Sequence, residues 1–344
     1  MQTIVLSWPV KARHKKIVPV FLPFAGCPAR CLYCAQNLQT AEGGRPLQAL
    51  LQEARTMLET RRLRGLEPAE VAFYGGTFTA QREEALTACL EAVHVWRREG
   101  LVQSFRCSTR PDALKDSVLA RMKEAGCTCV ELGIQSFDSS VLRASLRGYD
   151  GSVAREGIAR VQASGFVLGV QLLPGLPGST IQGFLQDVDC ALDLGASFLR
   201  YYPCLVVRST GLARLYEEGR YTPWSTEETL EALALGLMKA HARNVPVIRI
   251  GVAHEESFEQ HVLAGPRDPD LGTRALARAL LRTLQRHIPA PECLAGIHMP
   301  RSCQGYYLGH RKENRDALVR LGVHSGTICW TQDEEIRILV RSDM

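Results

Sequence analysis

The sequence predicts an α/β fold: an open, partial (β/α)6 barrel of the TIM-like kind, followed by a small C-terminal α+β module. Three observations carry this. Six β–α alternations fall within about 200 residues, the pattern of parallel strands joined by right-handed crossovers. Six units suit an open sheet better than a closed eight-stranded one. The cysteine-rich and glycine-rich motifs sit just after strands, where such sheets place their chemistry.

The elements follow in order. Ile17–Pro23 is the first strand, leading into a cysteine loop. From Pro46 to about Arg62 the chain reads as a helix, with proline at its start and Leu47, Leu50, Leu51, Ala54 and Leu58 on one face. Val71–Tyr74 is a short buried strand ending in Gly75-Gly76, and 82–98 is helical. Val102–Ser108 is a strand, and the helix over 116–125 is closed by Gly126. Cys127–Gly133 is the fourth strand, followed by helices around Asp138–Ser145 and Ser152–Ser164. Phe166–Leu173, a helix over 180–194, and Phe198–Tyr202 complete the six units. Beyond them lie a helix over Thr226–Ala242, a strand over Val245–Ile250, a loop over Ala264–Asp270 and a helix through about His287. Ile288-Pro-Ala-Pro291 reads as a linker. After it come a strand near 293–298, a helix near 310–321 and a hairpin over 326–341. The expected division is a core barrel over 1–250, a helical extension over 251–289 and a small α+β module over 290–344.

The 344 residues can bury a sizeable core. Hydrophobic residues at 46% and charged residues at 22% are ordinary for a globular chain, and a net charge of +5 permits an anionic partner without demanding one. Twelve cysteines in so long a chain do not describe a disulfide scaffold; Cys89, Cys190 and Cys204 stand singly in apolar stretches, as buried free thiols do. The N-terminus lacks a basic region before an apolar core, and no apolar run is long enough to span a bilayer. The expectation is a cytoplasmic protein with no membrane partner.

Three cysteines crowd together as Cys27-Pro-Ala-Arg-Cys31-Leu-Tyr-Cys34. A [4Fe–4S] cube normally takes four thiolates, so three leave one iron open to a substrate or cofactor. No histidine lies between His14 and His94, so a local zinc site with three cysteines would need a distant ligand. A zinc knuckle or three incidental core thiols is the competing reading. Tyr33, between the last two cysteines, could cover a cluster with its ring. Tyr74-Gly-Gly-Thr-Phe-Thr79 closes the second strand, and its paired glycines let backbone approach a ligand.

Further motifs end the later strands: Ser108-Thr-Arg-Pro-Asp112, Glu131-Leu-Gly-Ile-Gln-Ser-Phe137 with Leu146-Arg-Gly-Tyr-Asp150 after it, Leu173-Pro-Gly-Leu-Pro-Gly178, and Tyr201–Gly211 with Tyr221 beyond. Together these resemble the radical S-adenosylmethionine (SAM) superfamily, in particular the radical domain of the Elongator catalytic subunit and its short bacterial relatives, from about residue 17 to about residue 250. The resemblance implies an enzyme that reductively cleaves SAM at a [4Fe–4S] cluster, giving a 5′-deoxyadenosyl radical. It implies that Cys27, Cys31 and Cys34 ligate the cluster. Gly75, Gly76 and Thr77 would hold the methionine amino group, and Gln135 and Arg147 the ribose and carboxylate. An arginine fork suits a carboxylate. Against this, Gln135 could simply cap a turn and Arg147 could be a surface charge. No catalytic residue is assigned. A reductant such as flavodoxin or ferredoxin is implied, and transfer RNA is the first substrate to consider.

Two departures matter. The relatives usually carry Glu where Ser108 stands, so either Ser108 or Glu131 takes that acid's part. The Elongator subunit continues into an acetyltransferase domain, for which this chain ends too early, so the wobble-uridine reaction does not transfer. The loop Gly309-His-Arg-Lys-Glu-Asn314 is similar to the Gly-x-x-Gly loop of KH domains, save for Lys312 at the second glycine. It makes Arg311 and Lys312 candidate RNA contacts, with a solvated helix face as the simpler reading. The basic run Lys11–Lys16 is equally open. Cys293, Cys303 and Cys329 are too irregularly spaced for a second metal site. The alternatives are a porphyrinogen-oxidase-like radical enzyme acting on a small molecule, and a non-catalytic metal- and RNA-binding protein. The Gly-Gly-Thr-Phe sequence, in place of Gly-Gly-Gly-Thr-Pro, argues against the first.

Overall fold

The computed structural model describes residues 1–8, 16–28, 30–39, 44–252 and 256–341. The basic run expected over 11–16 lies outside the described residues except for Lys16. β1 (Gln2–Ser7) stands apart from the main sheet. That sheet contains β2 (Ile17–Phe21), β3 (Ala69–Tyr74), β4 (Val102–Thr109), β5 (Cys127–Gln135), β6 (Val167–Leu172) and β7 (Phe198–Tyr201). After a two-residue strand, β8 (Val206–Val207), comes β9 (Val247–Ile250), which pairs with β7 as the seventh member. Spatial order follows chain order and every adjacent pair is parallel. β2 and β9 are the free edges, so the sheet is a curled part-barrel. The strand expected at 245–250 is its last member.

Helices cover the outer face. Phe73 stacks on Phe78 with centroids 4.8 Å apart, and Tyr201 meets Phe184 of the helix Ile181–Asp193 edge-on at 5.2 Å. Each such buried side chain contributes about 1.5–3 kcal/mol. Five helices of the later units start on side-chain caps: Asp138, Asp150, Thr180, Thr210 and Ser225 each accept a backbone N–H, whereas the helices beginning after Pro46, Arg82 and Lys115 have none. The inner face is different. Parallel sheets usually bury apolar residues on both faces, yet Glu70, Arg106, Glu131 and Arg200 are turned into this barrel and tied to one another.

β10 (Val262–Ala264) pairs with β8. β11 (Leu294–Pro300), β12 (Ile328–Thr331) and β13 (Glu335–Val340) build the expected α+β module, with a sheet ordered β1-β13-β11-β12. The hairpin expected over 326–341 is not formed. β12 runs parallel to β11 after a crossover containing the helix Arg315–Arg320, and β13 lies on the other side of β11. The reason is the alternation in β13: Ile336, Ile338 and Val340 form one buried stripe that is covered best between two strands. The outer of those two is β1, with Ile4 opposite Ile338.

Trp8 follows β1 and joins the two sheets. Its Nε1 donates to the Tyr306 hydroxyl (3.1 Å), and its ring meets His241 edge-on at 4.5 Å. His241 is buried on the helix Thr226–Ala242, its Nδ1 has no partner, and burial lowers its pKa from 6.5 to about 4. The unfolded imidazole takes a proton near pH 6.5 and the buried one only near 4. Its contribution to stability is therefore complete above 6.5 and is lost as pH falls toward 4, by roughly 3 kcal/mol. Asp187, raised to about 6 by burial, acts with the opposite sign, its contribution falling away as pH rises from 3.8 to 6. His241→Phe removes only the first effect. The stability difference between wild type and this variant, from urea unfolding at pH 4.5 and 7, should rise with pH; a pH-independent difference would refute the assignment.

Candidate active site

The loop after β2 locks onto the turn that ends β3. Leu22 N donates to Tyr74 O, and Thr77 N to Ala25 O, each at 2.7 Å. Gln36 Oε1 accepts from both Phe24 N (2.7 Å) and Gly76 N (2.9 Å). Gly76 has φ +57°, and a Cβ there would lie 2.2 Å from Ala25 O. Gly26 has φ +74°, and its Cβ would lie 2.3 Å from Thr77 O. The backbones meet because neither position carries a side chain. Farther along, Leu32 N donates to Ser145 O (3.2 Å) and Leu32 O accepts from Leu212 N (2.8 Å). The cysteine loop is thus held from three sides.

Cys27, Cys31 and Cys34 all line one cavity of about 380 Å³ at the carboxyl ends of the parallel strands. Tyr33, Gly75, Gly76, Gln135 and Arg147 line it too, so eight of the residues singled out by the motifs and the resemblance face one cavity. Thr77 lies just behind the wall. It is fully buried, its N–H is taken by Ala25 O, and its hydroxyl meets Cys27 Sγ at 3.3 Å. Arg311 and Lys312 lie elsewhere, exposed in the C-terminal module in a tight turn with φ of +49° and +66°.

Two guanidinium groups flank Cys31. Arg147 Nη1 donates to its Sγ at 3.1 Å and Arg110 Nη1 at 3.8 Å. Arg147, 5% exposed, also donates to Gly133 O (2.6 Å) and to the Tyr149 hydroxyl, so it is no surface charge. Arg110 is held by Asp112 at 2.9 and 2.7 Å. Burial, then the neighbouring Cys31, pushes the Cys34 thiol up to about 12. Two polar atoms in the cavity wall are buried without partners: the Tyr33 hydroxyl and Gln135 Oε1. Gln135 has φ +71°, a strained conformation for a residue with a side chain. Its acceptor is thus buried at the cavity wall with no donor among the described residues.

Glu131 does not line the cavity, whereas Ser108 does. The Glu131 carboxylate is fully buried one layer below, held by Arg200 Nε at 2.7 Å and Nη2 at 3.1 Å, with Arg106, Tyr74 and Gln171 around it. Gln171 Nε2 also reaches Ser108 Oγ at 3.1 Å, linking that layer to the cavity. Sequence reasoning assigned no role to Gln36, Arg110, Gln171, Arg200, Tyr202 or Arg249. Arg110 stands within the Thr-Arg-Pro-Asp motif. Arg200 and Arg249 are single charges inside otherwise apolar strands, which was the available signal. Among the described residues no three His, Cys, Asp or Glu side chains are gathered to hold one metal ion, Cys293, Cys303 and Cys329 included. Thiolates on a cube each bind a different iron, the use that the resemblance implies for Cys27, Cys31 and Cys34.

Comparison with known proteins agrees. The radical SAM superfamily family model matches residues 21–191, and the radical SAM C-terminal domain matches 196–282. This chain belongs to the radical SAM superfamily. A [4Fe–4S] cluster and SAM are its cofactors, and it is an enzyme of that class. One curated relative is the tRNA uridine(34) acetyltransferase of Methanocaldococcus infernus, 27% identical over 257 residues, covering 63% of this chain and 48% of the relative. Another is the heme chaperone HemW of Bacillus subtilis, 27% identical over 230 residues, covering 64% and 59%. The chain spans about half the length of these relatives. A solved structure of archaeal Methanocaldococcus infernus Elp3, the Elongator protein, shares the fold with a TM-score of 0.59 at 20% identity, covering 76% of this chain and 61% of that one. No helix among the described residues is long and apolar enough to cross a membrane.

The interlocked glycines allow a direct test. Gly76→Ala should cost about 3–4 kcal/mol and lower iron incorporation, because the loop must move away from the β3 turn. Gly65→Ala, also at positive φ but with open space around it, should cost about 1 kcal/mol and leave iron content unchanged. Urea unfolding and iron assay of both variants decide; equal losses would mean that the close approach is unimportant.

Proposed function

We propose that Cys27, Cys31 and Cys34 hold the cluster of this radical SAM enzyme and that its substrate is an RNA, transfer RNA first. One observation supports the site above all. Three thiols, the backbone turn at Gly75-Gly76 and an unpartnered, strained Gln135 acceptor share one cavity at the strand ends. Reduced cluster and bound SAM together supply a 5′-deoxyadenosyl radical and methionine.

The protein's own residues divide the remaining work. Thr77 steadies Cys27 through its hydroxyl. Arg147 and Arg110 offset the negative charge that gathers when the thiols ionise, and on the same side they would meet the cofactor carboxylate. Gly75 and Gly76 present bare backbone to the methionine amino group. Gln135 accepts from a ribose hydroxyl, which relieves its buried acceptor. Ser108, at the wall, stands where relatives carry an acid, with Gln171 behind it. Tyr33 closes the apolar side, where burial keeps its phenol neutral by raising its pKa well above the ordinary value. A flavodoxin or ferredoxin in the cytoplasm would supply the electron.

The RNA part rests on the Methanocaldococcus relative, whose name gives a transfer-RNA uridine, and on the exposed Arg311-Lys312 turn. The Bacillus relative, named for heme, makes a tetrapyrrole the alternative outcome.

Anaerobically reconstituted protein should hold about four irons and four sulfides. Replacing Cys27, Cys31 and Cys34 together with Ala should abolish both the cluster and dithionite-driven release of 5′-deoxyadenosine. Stoichiometric zinc without iron after anaerobic isolation would overturn the ligand assignment.

Transfer-RNA binding should weaken steeply between 50 and 200 mM salt, as counterion release demands. Changing Arg311 and Lys312 to Glu should lower affinity at least tenfold with iron content retained. Tight heme binding without RNA binding at low salt would replace RNA by a tetrapyrrole.

A further inference from the structure

The cavity wall is rich in donors and poor in acceptors. Among the described residues five arginines line it (Arg30, Arg110, Arg147, Arg200 and Arg249), and no Asp or Glu does. Four of the five already have a partner. Arg30 lies over the Phe24 ring at 4.4 Å, and Arg110 is paired with Asp112. Arg147 faces Cys31, and Arg200 is paired with Glu131. Arg249 is different. Its Nε donates to Gly251 O at 3.1 Å, and among the described residues its terminal nitrogens meet no carboxylate, ring or carbonyl.

The interior charge points the same way. Below the cavity, Glu70 takes Arg106 (2.6 Å) and Glu131 takes Arg200, so among the described residues Arg249 is the inner-face arginine left without a carboxylate. It stands opposite Arg200 in the β7–β9 register. Arg200 Nη1 in turn donates to the Tyr202 hydroxyl at 3.3 Å, and the proton of that hydroxyl has no acceptor among the described residues. Arg249, on the edge strand β9, and Tyr202, just past the end of the neighbouring β7, both line the cavity on the side of the sheet away from β2 and its cysteine loop. A half-buried guanidinium whose two terminal NH2 groups are free among the described residues, sharing a cavity with a hydroxyl that has a proton to give, is a receptor for one oxyanion.

We propose that Arg249, with Tyr202 beside it, binds a single oxyanion of the substrate, a phosphate or a carboxylate, at the edge of the cavity away from the cluster ligands. This rests on the radical SAM reading of the cavity and adds what that reading lacks, a handle for the molecule to be attacked. A phosphate would come from the nucleotide of an RNA, and a carboxylate from a small molecule such as a propionate-bearing tetrapyrrole.

The test is calorimetric titration of the anaerobic holoenzyme with uridine 5′-monophosphate, uridine and succinate. Wild type should bind one anion at least tenfold more tightly than uridine. Monophosphate as that anion identifies a nucleotide phosphate, and succinate a carboxylate. Arg249→Met should weaken the preferred anion at least tenfold while uridine, iron content and thermal midpoint stay unchanged. Arg249→Lys should recover part of the loss, because charge is restored without the fork. The proposal is overturned if Arg249→Met binds the anion as wild type does. It is equally overturned if uridine affinity and thermal midpoint fall together in both variants, which would show that the bond to Gly251 O is what matters. It also fails if wild type binds neither anion better than uridine. Dithionite-driven 5′-deoxyadenosine release by the wild type reads the radical chemistry separately, so the two ideas can fail independently.

Discussion

Everything at the candidate site depends on the contact between two backbones that have no side chains to separate them. β2 and β3 are neighbours, with Phe21 opposite Tyr74, so the segments leaving them must share the same space. Gly26 and Gly76 make that sharing feasible, each pressed against a carbonyl on the other segment. Thr77 then reaches Cys27, and Gln36, just past the last cysteine, ties both segments with one carbonyl oxygen. A loop of three cysteines would otherwise be among the least constrained parts of a chain. Here it is tied to the β3 turn by the Leu22, Thr77 and Gln36 hydrogen bonds, so folding itself meets the cost of ordering it.

The second organising feature is the charged interior. A carboxylate with no solvent exposure, like Glu131, costs several kcal/mol to desolvate unless it is well matched. Arg200, Arg106, Tyr74 and Gln171 supply that match. An apolar interior would be at least as stable. The polar one keeps donors and acceptors at defined heights beneath the cavity. It also accounts for Ser108: with Glu131 holding Gln171 from below and Gln171 touching the serine, a side-chain polar group reaches that point of the wall without an acid at position 108.

Much of this could be read from the sequence, for identifiable reasons. Buried parallel strands bounded by glycine and proline show as short apolar runs, so the six units were visible. The strand at 247–250 was visible too, but nothing local says which sheet a strand joins. The hairpin over 326–341 failed on the same point: Gln332–Glu334 is a connection short enough for adjacent strands, and whether it skips one depends on β11 and on β1 from the other end of the chain. At the site, cysteine spacing and paired glycines are local signals and were found. Thr77 belongs to the same motif yet points at Cys27 rather than into the cavity, which depends on packing. Gln36 carries no local mark beyond a polar residue in an unremarkable place, and Arg249 shows only as a lone charge in an apolar strand; contacts with distant segments bring both to the cavity.

The pairing of β1 with β13 bears on the order of assembly. Ile4 lies opposite Ile338, so the first strand cannot be completed until the last one exists. The entropy of closing so long a loop is modest, since each doubling of length adds about 0.6 kcal/mol. The delay is the larger effect. At typical synthesis rates β1 waits roughly 15–65 s for its partner, long enough for the barrel to form without it. The clasp that Trp8 makes between the two sheets is therefore among the last contacts a nascent chain can make, and a ribosome stalled before residue 335 would display a barrel able to fold while its N-terminal strand still lacks a sheet.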